Sequence, residues 1–255
     1  TASTCCGCTT RNPTTTGTQP KSRRPQSEGY RPMTANLIGN VGLTVLKVYD
    51  TDPGPDGIRA GCAHVHGLTD EAYFGIAGAG AIELHDRETG FRSIPITKGT
   101  YVQFPPWTLH RSVSTDGLEV LAVMGNLGLA ERGDARIFFG EAADADEDVY
   151  AELRDLVKTG ADGALQRRVR ATEAYMTLMR NWREDRPAYR RTLERFFGRH
   201  RETIESTPAL SAWAAKSESE APSAVTTAGR WQADQSDEVF GMCGTLRQVD
   251  SLSSA

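Results

Sequence analysis

The stretch GCAHVHGLTDEAYFGIAGAG, residues 61–80, decides how the rest of the chain is read. It places His64 and His66 one residue apart and Glu71 five positions further on, in a chain with only 5 histidines. CAHVH has the character of a strand, in which alternate side chains share a face. Cys62, His64 and His66 are therefore expected to point the same way, with the two imidazoles about 7 Å apart by Cα rise. On the inner wall of a small barrel two such imidazoles can converge on one ion. Glu71, just past the GLTD turn, opens the neighbouring strand and brings a carboxylate towards the same centre.

Outward from this stretch, short runs rich in Val, Ile, Leu, Tyr and Phe alternate with turn signals from about Asn36 to Gly140. LTVLKVYD (43–50) precedes the breaker TDPGPDG; EAYFGIA (71–77), AIELHD (81–86), FRSIPIT (91–97), YVQF (101–104), HRSVS (110–114) and LEVLAVMG (118–125) follow. Eight or so short strands without intervening helices predict a closed barrel or jelly roll. The glycines of GIAGAG (75–80) are assigned to barrel turns, because the segment after them reads as a strand and not as a phosphate-binding helix. A third imidazole comes from GTYVQFPPWTLHRSVS (99–114), where Gly99 ends a turn, Pro105 and Pro106 shape the entry and His110 opens a strand. His85 is expected at a strand end on the surface, and His200 on a helix face.

After Gly140 the apolar period lengthens from two to about 3.6. An acidic helix is predicted over 141–158, stopped near Gly160. A second carries Leu165, Val169, Thr172, Met176 and Met179 at helical spacing, and beyond Pro187 a third lines up Tyr189, Leu193, Phe196, Phe197, His200 and Ile204. Residues 164–201 hold 11 arginines against 4 acids, but residues 141–155 hold 7 acids and 1 arginine, so the two segments are expected to pair with each other. With no aromatic stacking motif beside the arginines and a net charge of −4, nucleic acid is not an expected partner.

The organisation that follows is a disordered, low-complexity segment at 1–32, a barrel at 33–140, a helical extension at 141–206 and a mostly flexible tail at 207–255, in which DEVFGMCGTL (237–246) could dock as a short apolar piece. Met33 is the first methionine, and residues 1–32 read as a processed leader, part of something longer, or sequence upstream of the working protein. No apolar run reaches the ~20 residues of a membrane span. Cys5, Cys6 and Cys8 crowd one end while Cys62 and Cys243 stand alone, which fits a reducing compartment better than a disulfide framework. A soluble, cytoplasmic protein is expected.

These two histidine-bearing stretches resemble the motifs of the cupin superfamily. The family's first motif reads G, five residues, HxH, three or four residues, E, six residues, G; His64, His66, Glu71 and Gly78 match all but its leading glycine. The second reads G, five residues, PxGxxH, three residues, N; Gly99, Pro105 and His110 match, while Trp107 replaces the glycine and Ser114 the asparagine. The resemblance covers about 36–128, roughly two fifths of the chain.

The resemblance implies a mainly β cupin-type jelly roll whose His64, His66, Glu71 and His110 hold one divalent transition-metal ion, Fe(II) first and Mn, Ni, Zn, Co or Cu as alternatives. It implies that Glu71 can leave the metal and act as a base, and that barrels of this kind pair as homodimers. Tyr73 shares the Glu71 face, so Glu71 and Tyr73 are the candidate catalytic pair. Cys62, Tyr73, Tyr101, Phe104 and Trp107 are expected to line a partly aromatic pocket for a small organic substrate. The leading expectation is a metal-dependent dioxygenase. The alternatives are a non-oxidative isomerase, epimerase or lyase, and a non-catalytic small-molecule-binding protein.

Overall fold

The structure, a computed structural model, describes residues 41–125, 129, 132–217 and 239–248. The segment expected to be disordered at 1–32 lies outside these residues, as do the rest of the first 40 and most of the expected tail.

The strands are β1 (Gly42–Val48), β2 (Arg59–Ala60), β3 (His64–His66), β4 (Glu71–Asp86), β5 (Gly90–Thr97), β6 (Tyr101–Phe104), β7 (Leu109–Met124), β8 (Ala135–Ile137), β9 (Val239–Phe240) and β10 (Gly244–Gln248). All belong to one antiparallel sheet with the order β5-β4-β7-β1-β10-β9; β6 adds to β4, β2 and β3 add to β7, and β8 adds to β3. The sheet curls around an apolar interior formed by Leu46, Val48, Tyr73, Ile82, Leu84, Ile96, Val102, Phe104, Leu118, Val120, Ala122 and Cys243. This is the jelly-roll type of barrel that the spacing predicts.

The strand count differs from expectation for a definite reason. EAYFGIA and AIELHD are one strand, β4, and HRSVS and LEVLAVMG are one strand, β7. The glycines between them mark bulges, not turns: the β4–β7 register shifts between Gly75 and Ala77 and again between Ala79 and Gly80. Gly78 (φ 67) lies against Gly117 (φ 53), and a Cβ on Gly78 would fall 2.1 Å from the Asp116 carbonyl oxygen. Two left-handed glycines back to back let both strands bend together without losing their pairing.

The helical extension is α1 (Glu141–Ala145), α2 (Glu147–Asp155), a 3₁₀ turn (Leu156–Thr159), α3 (Ala161–Glu184), α4 (Arg186–Ser206) and α5 (Pro208–Ser217). Asp146 caps α2 by accepting from the Asp148 amide at 2.9 Å, and Asp185 caps α4 through the Ala188 amide at 2.8 Å. The helices cover the outer wall of the barrel. Ala63, Val65 and Leu109 from the strands pack with Phe138, Tyr175, Leu178, Tyr189, Leu193, Phe196 and Phe197. Because β3 is thereby covered on both faces, His64, Val65 and His66 are all buried. The α4 face matches the predicted stripe. The α3 face does not: Val169 and Met176 are exposed at 38% and 43%, and the buried side carries Ala164, Arg167, Arg168, Ala171, Thr172, Tyr175 and Leu178. Arg168 explains the rotation. Its guanidinium donates to the carbonyls of Asp52 and Ile58 and the Thr51 hydroxyl, on the irregular loop before β2, and to the carbonyl of Ala60 in β2.

The arginine-rich and acidic segments pair as expected, with Arg195 2.6 Å from Glu141 and Arg199 3.5 Å from Glu147. Within 207–255, expected to be mostly flexible, 208–217 form α5 and 239–248 form a hairpin whose β10 pairs with β1 from Thr44 to Val48. No helix among the described residues is long and apolar enough to cross a membrane.

Candidate metal centre

His64, His66, Glu71 and His110 converge in the barrel interior. One ligand atom from each lies within 4.8 Å of all the others, and all four side chains are buried. Strand alternation does this locally: in β3 the two histidines face inward while Val65 joins the helical side. Register does the rest, since His64 pairs directly with His110 across β3 and β7. Glu71 begins β4, opposite Phe104 on β6 and Met124 on β7.

The hydrogen-bond partners determine which imidazole nitrogens face the centre. His64 Nδ1 lies 3.0 Å from the Cys62 carbonyl and His110 Nδ1 3.0 Å from the Thr108 carbonyl. A carbonyl only accepts, so both Nδ1 atoms carry the proton and both Nε2 atoms present lone pairs. Those two lone pairs meet at 3.0 Å. Glu71 Oε2 lies 3.0 Å from His110 Nε2 and 3.5 Å from His66 Nε2. Electron-rich atoms this close are stable only with positive charge among them. Metal–ligand bonds of about 2.1 Å set neighbouring donors about 3 Å apart and opposite ones about 4.2 Å apart. The donor set therefore fits a divalent transition ion in the spacing of its nearest donors, in the tautomers of His64 and His110 and in its mixture of nitrogen and oxygen. Ca²⁺ and Mg²⁺, which take oxygen ligands, fit poorly.

Charge is distributed unevenly here. Burial alone would raise the Glu71 carboxyl, but the imidazoles of His110, His66 and His64 hold it down to about 2. Burial pushes His64 well below the ordinary imidazole value, helped by its two histidine neighbours. Burial, and then the Glu71 carboxylate, keep the Tyr73 phenol well above the usual range.

The expected pocket residues divide. Tyr73 and Phe104 are inside, with rings 6.3 and 4.5 Å from the His110 ring. Tyr101 is 58% exposed, with its hydroxyl on Gln103, because β6 alternates and only Val102 and Phe104 face inward. Cys62 precedes β3, where alternation does not yet hold, and packs with Ile137, Phe139, Ala143, Tyr150 and Ala171 on the helical side. Trp107 turns away from the barrel mouth onto α4, with its ring 6.3 Å from Phe197 and 5.6 Å from His200. It holds φ 65, a left-handed conformation that suits glycine, the residue the cupin motif has at this place. That conformation costs roughly 1–2 kcal/mol, offset by the burial of the indole.

Three residues near the centre lay outside the sequence reading. Cys243, from the hairpin, places its Sγ 3.6 Å from His64 Nδ1. Ser112 shares the His110 face of β7 and is fully buried. Asp134 has its Oδ2 3.6 Å from His66 Nδ1. Period-two spacing from His110 points to Ser112; no local signal points to the other two. His85 also differs from expectation: it is buried, bridging the hydroxyls of Tyr189 and Tyr175 at 2.9 and 2.7 Å, whereas His200 lies on the α4 face as expected, its Nε2 donating to the Asp134 carbonyl at 2.8 Å.

No protein-family model matches the chain, and no curated protein does. Among solved structures, a putative sugar phosphate isomerase from Acidithiobacillus ferrooxidans is similar over 33% of this chain and 49% of its own, at 22% identity and a TM-score of 0.25. KdgF from Halomonas sp. is similar over 32% of this chain and 66% of its own, at 20% identity and a TM-score of 0.25. An 11S globulin from Wrightia tinctoria is similar over 34% of this chain and 21% of its own, at 13% identity and a TM-score of 0.29. The chain thus spans about half of the first of these proteins. Alignments so short and so divergent assign it neither a family nor an activity.

Proposed function

We propose that this protein binds one divalent transition-metal ion through His64, His66, Glu71 and His110 and catalyses a non-oxidative proton transfer on a small carbonyl compound, as an isomerase, epimerase or lyase does. The observation that carries this reading is the Glu71–Tyr73 pair. A carboxylate held ionised and a phenol held protonated act on each other beside three imidazoles. The ionised carboxylate offers a proton acceptor and the neutral phenol a proton donor, the two partners that general acid–base chemistry uses. When bound, the ion supplies Lewis acidity that polarises a carbonyl oxygen.

In this reading Glu71, once released from the ion, accepts a proton from the carbon next to the carbonyl, and Tyr73 donates one to the oxygen or to the neighbouring carbon. The surrounding walls, Val102, Phe104, Ile82 and Leu84, exclude water and suit a compact substrate, such as an α-hydroxyketone or a dicarbonyl compound. A dioxygenase would use the same ligand set, but it gives the Glu71–Tyr73 pair no necessary role.

The test is solvent exchange under argon. Protein loaded with Zn(II), Mn(II) or Fe(II) is mixed in D₂O with a panel of small α-hydroxyketones and dicarbonyls and followed by proton NMR. The expected result is metal-dependent loss of the α-proton signal, abolished in Tyr73→Phe. Oxygen uptake by a compound that shows no anaerobic exchange would overturn this reading in favour of oxidative chemistry.

A further inference from the structure

Resting on the metal reading above, we infer that Asp134 is the positioning residue for the His66 ligand, fixing which ring nitrogen carries its proton. Asp134 belongs to neither histidine-bearing stretch. It stands just before β8, 0% exposed, and β8 pairs with β3 and sets Ala135 opposite His66.

Its carboxylate is held from one side. Oδ1 accepts from the backbone amides of Gly67 at 2.9 Å and Leu68 at 2.7 Å, the two residues that follow His66. The backbone carbonyl of Asp134 accepts from His200 on α4. With Oδ1 and the main chain anchored, the carboxylate is left facing the His66 ring and the buried Thr69 hydroxyl. Oδ2 points at His66 Nδ1, 3.6 Å away, and has no hydrogen-bond partner of its own within reach. A fully buried carboxylate oxygen left in that state is costly unless it faces a donor.

The other two ligands are oriented by main-chain carbonyls two residues before them, those of Cys62 and Thr108. His66 is the one imidazole of the three set by a carboxylate, a stronger acceptor and one that raises the basicity of the nitrogen opposite. Packing reinforces the arrangement. The Trp107 amide donates to the His66 carbonyl at 2.8 Å, and a Cβ on Gly67 would meet Ile204 of α4 at 2.3 Å. The helical layer thus grips the loop after His66, and Asp134 turns that grip into a direction for the ring.

Asp134→Asn isolates the effect. The two amides at Oδ1 fix the carboxamide oxygen there, so its NH₂ faces His66 Nδ1 and makes that nitrogen an acceptor. The proton moves to Nε2, and the lone pair meant for the ion is lost. Co(II) titration followed by visible absorption is expected to show a 10- to 100-fold weaker Kd and an altered d–d spectrum in Asp134→Asn, with unchanged far-ultraviolet circular dichroism. An identical Kd and spectrum would overturn the inference while leaving the metal reading intact; failure of the unsubstituted protein to bind Co(II) would overturn both. Should the variant not fold, ¹⁵N-histidine NMR of the unsubstituted Zn(II)-loaded protein decides. The expected result is a deshielded, slowly exchanging Nδ1 proton on His66. Coordination through Nδ1, or rapid exchange of that proton, would refute the role of Asp134.

Discussion

The five histidines are all buried, yet they fall into two regions that use burial differently. In the barrel interior His64, His66 and His110 crowd their Nε2 atoms around Glu71, leaving electron-rich atoms that need a cation. At the barrel–helix interface His85 is saturated. The Tyr175 hydroxyl donates to Glu83 at 3.0 Å, so it accepts from His85 Nε2, and Tyr189 donates to Nδ1. Arg111 completes that network on Glu83 and Asp56. A histidine whose two nitrogens are already matched one donor to one acceptor is structural; three whose bare nitrogens converge form a site. Burial alone does not separate the two.

The sharpest way to break this contrast is His110→Ala. It removes a ligand from the centre, and Co(II) affinity should fall by more than the roughly 10–100-fold that losing an outer partner costs. Isothermal titration reads this directly; retained stoichiometric binding would place the site elsewhere.

His85→Gln should do the reverse, keeping Co(II) affinity while lowering stability by about 1–3 kcal/mol in urea denaturation. It should also change the pH response. Burial, with Arg111 nearby, depresses His85 from 6.5 to about 3. The folded state therefore binds fewer protons than the unfolded state between those values. Stability is complete above pH 6.5 and is lost as the pH falls towards 3, at about 1.4 kcal/mol per pH unit for this one group. Comparing metal-free protein with and without His85 across pH 4–7 should show that slope reduced by one proton; equal slopes would mean that His85 is charged in the fold.

The smallest effect is expected from Tyr101→Ser. Its side chain lies outside the barrel, so stability should move by no more than about 0.5 kcal/mol and metal affinity not at all. A loss of metal binding would return Tyr101 to the pocket.

The barrel, the two motif stretches and the α4 stripe were all legible in the chain because each rests on a local period: two for strands, 3.6 for a helix. Where a local rule stopped, the reading went astray. Cys62 lies two residues before β3 begins, Tyr101 and Phe104 cannot share a face at a separation of three, and GIAGAG bends a strand that it was expected to end. The α3 face was misplaced by hydrophobicity alone, since its buried side carries two arginines that serve loop carbonyls.

Residue types and spacing by themselves determined that this chain makes a small antiparallel barrel and that three imidazoles and a carboxylate are available to its interior. Only the tertiary structure decided which ring nitrogens face the centre, that Cys243 and Asp134 stand behind His64 and His66, and that Trp107 serves the helices. The physical reason is distance along the chain: period reports which way a side chain points from its own backbone, whereas partners 68 or 179 residues away are chosen by how the layers pack.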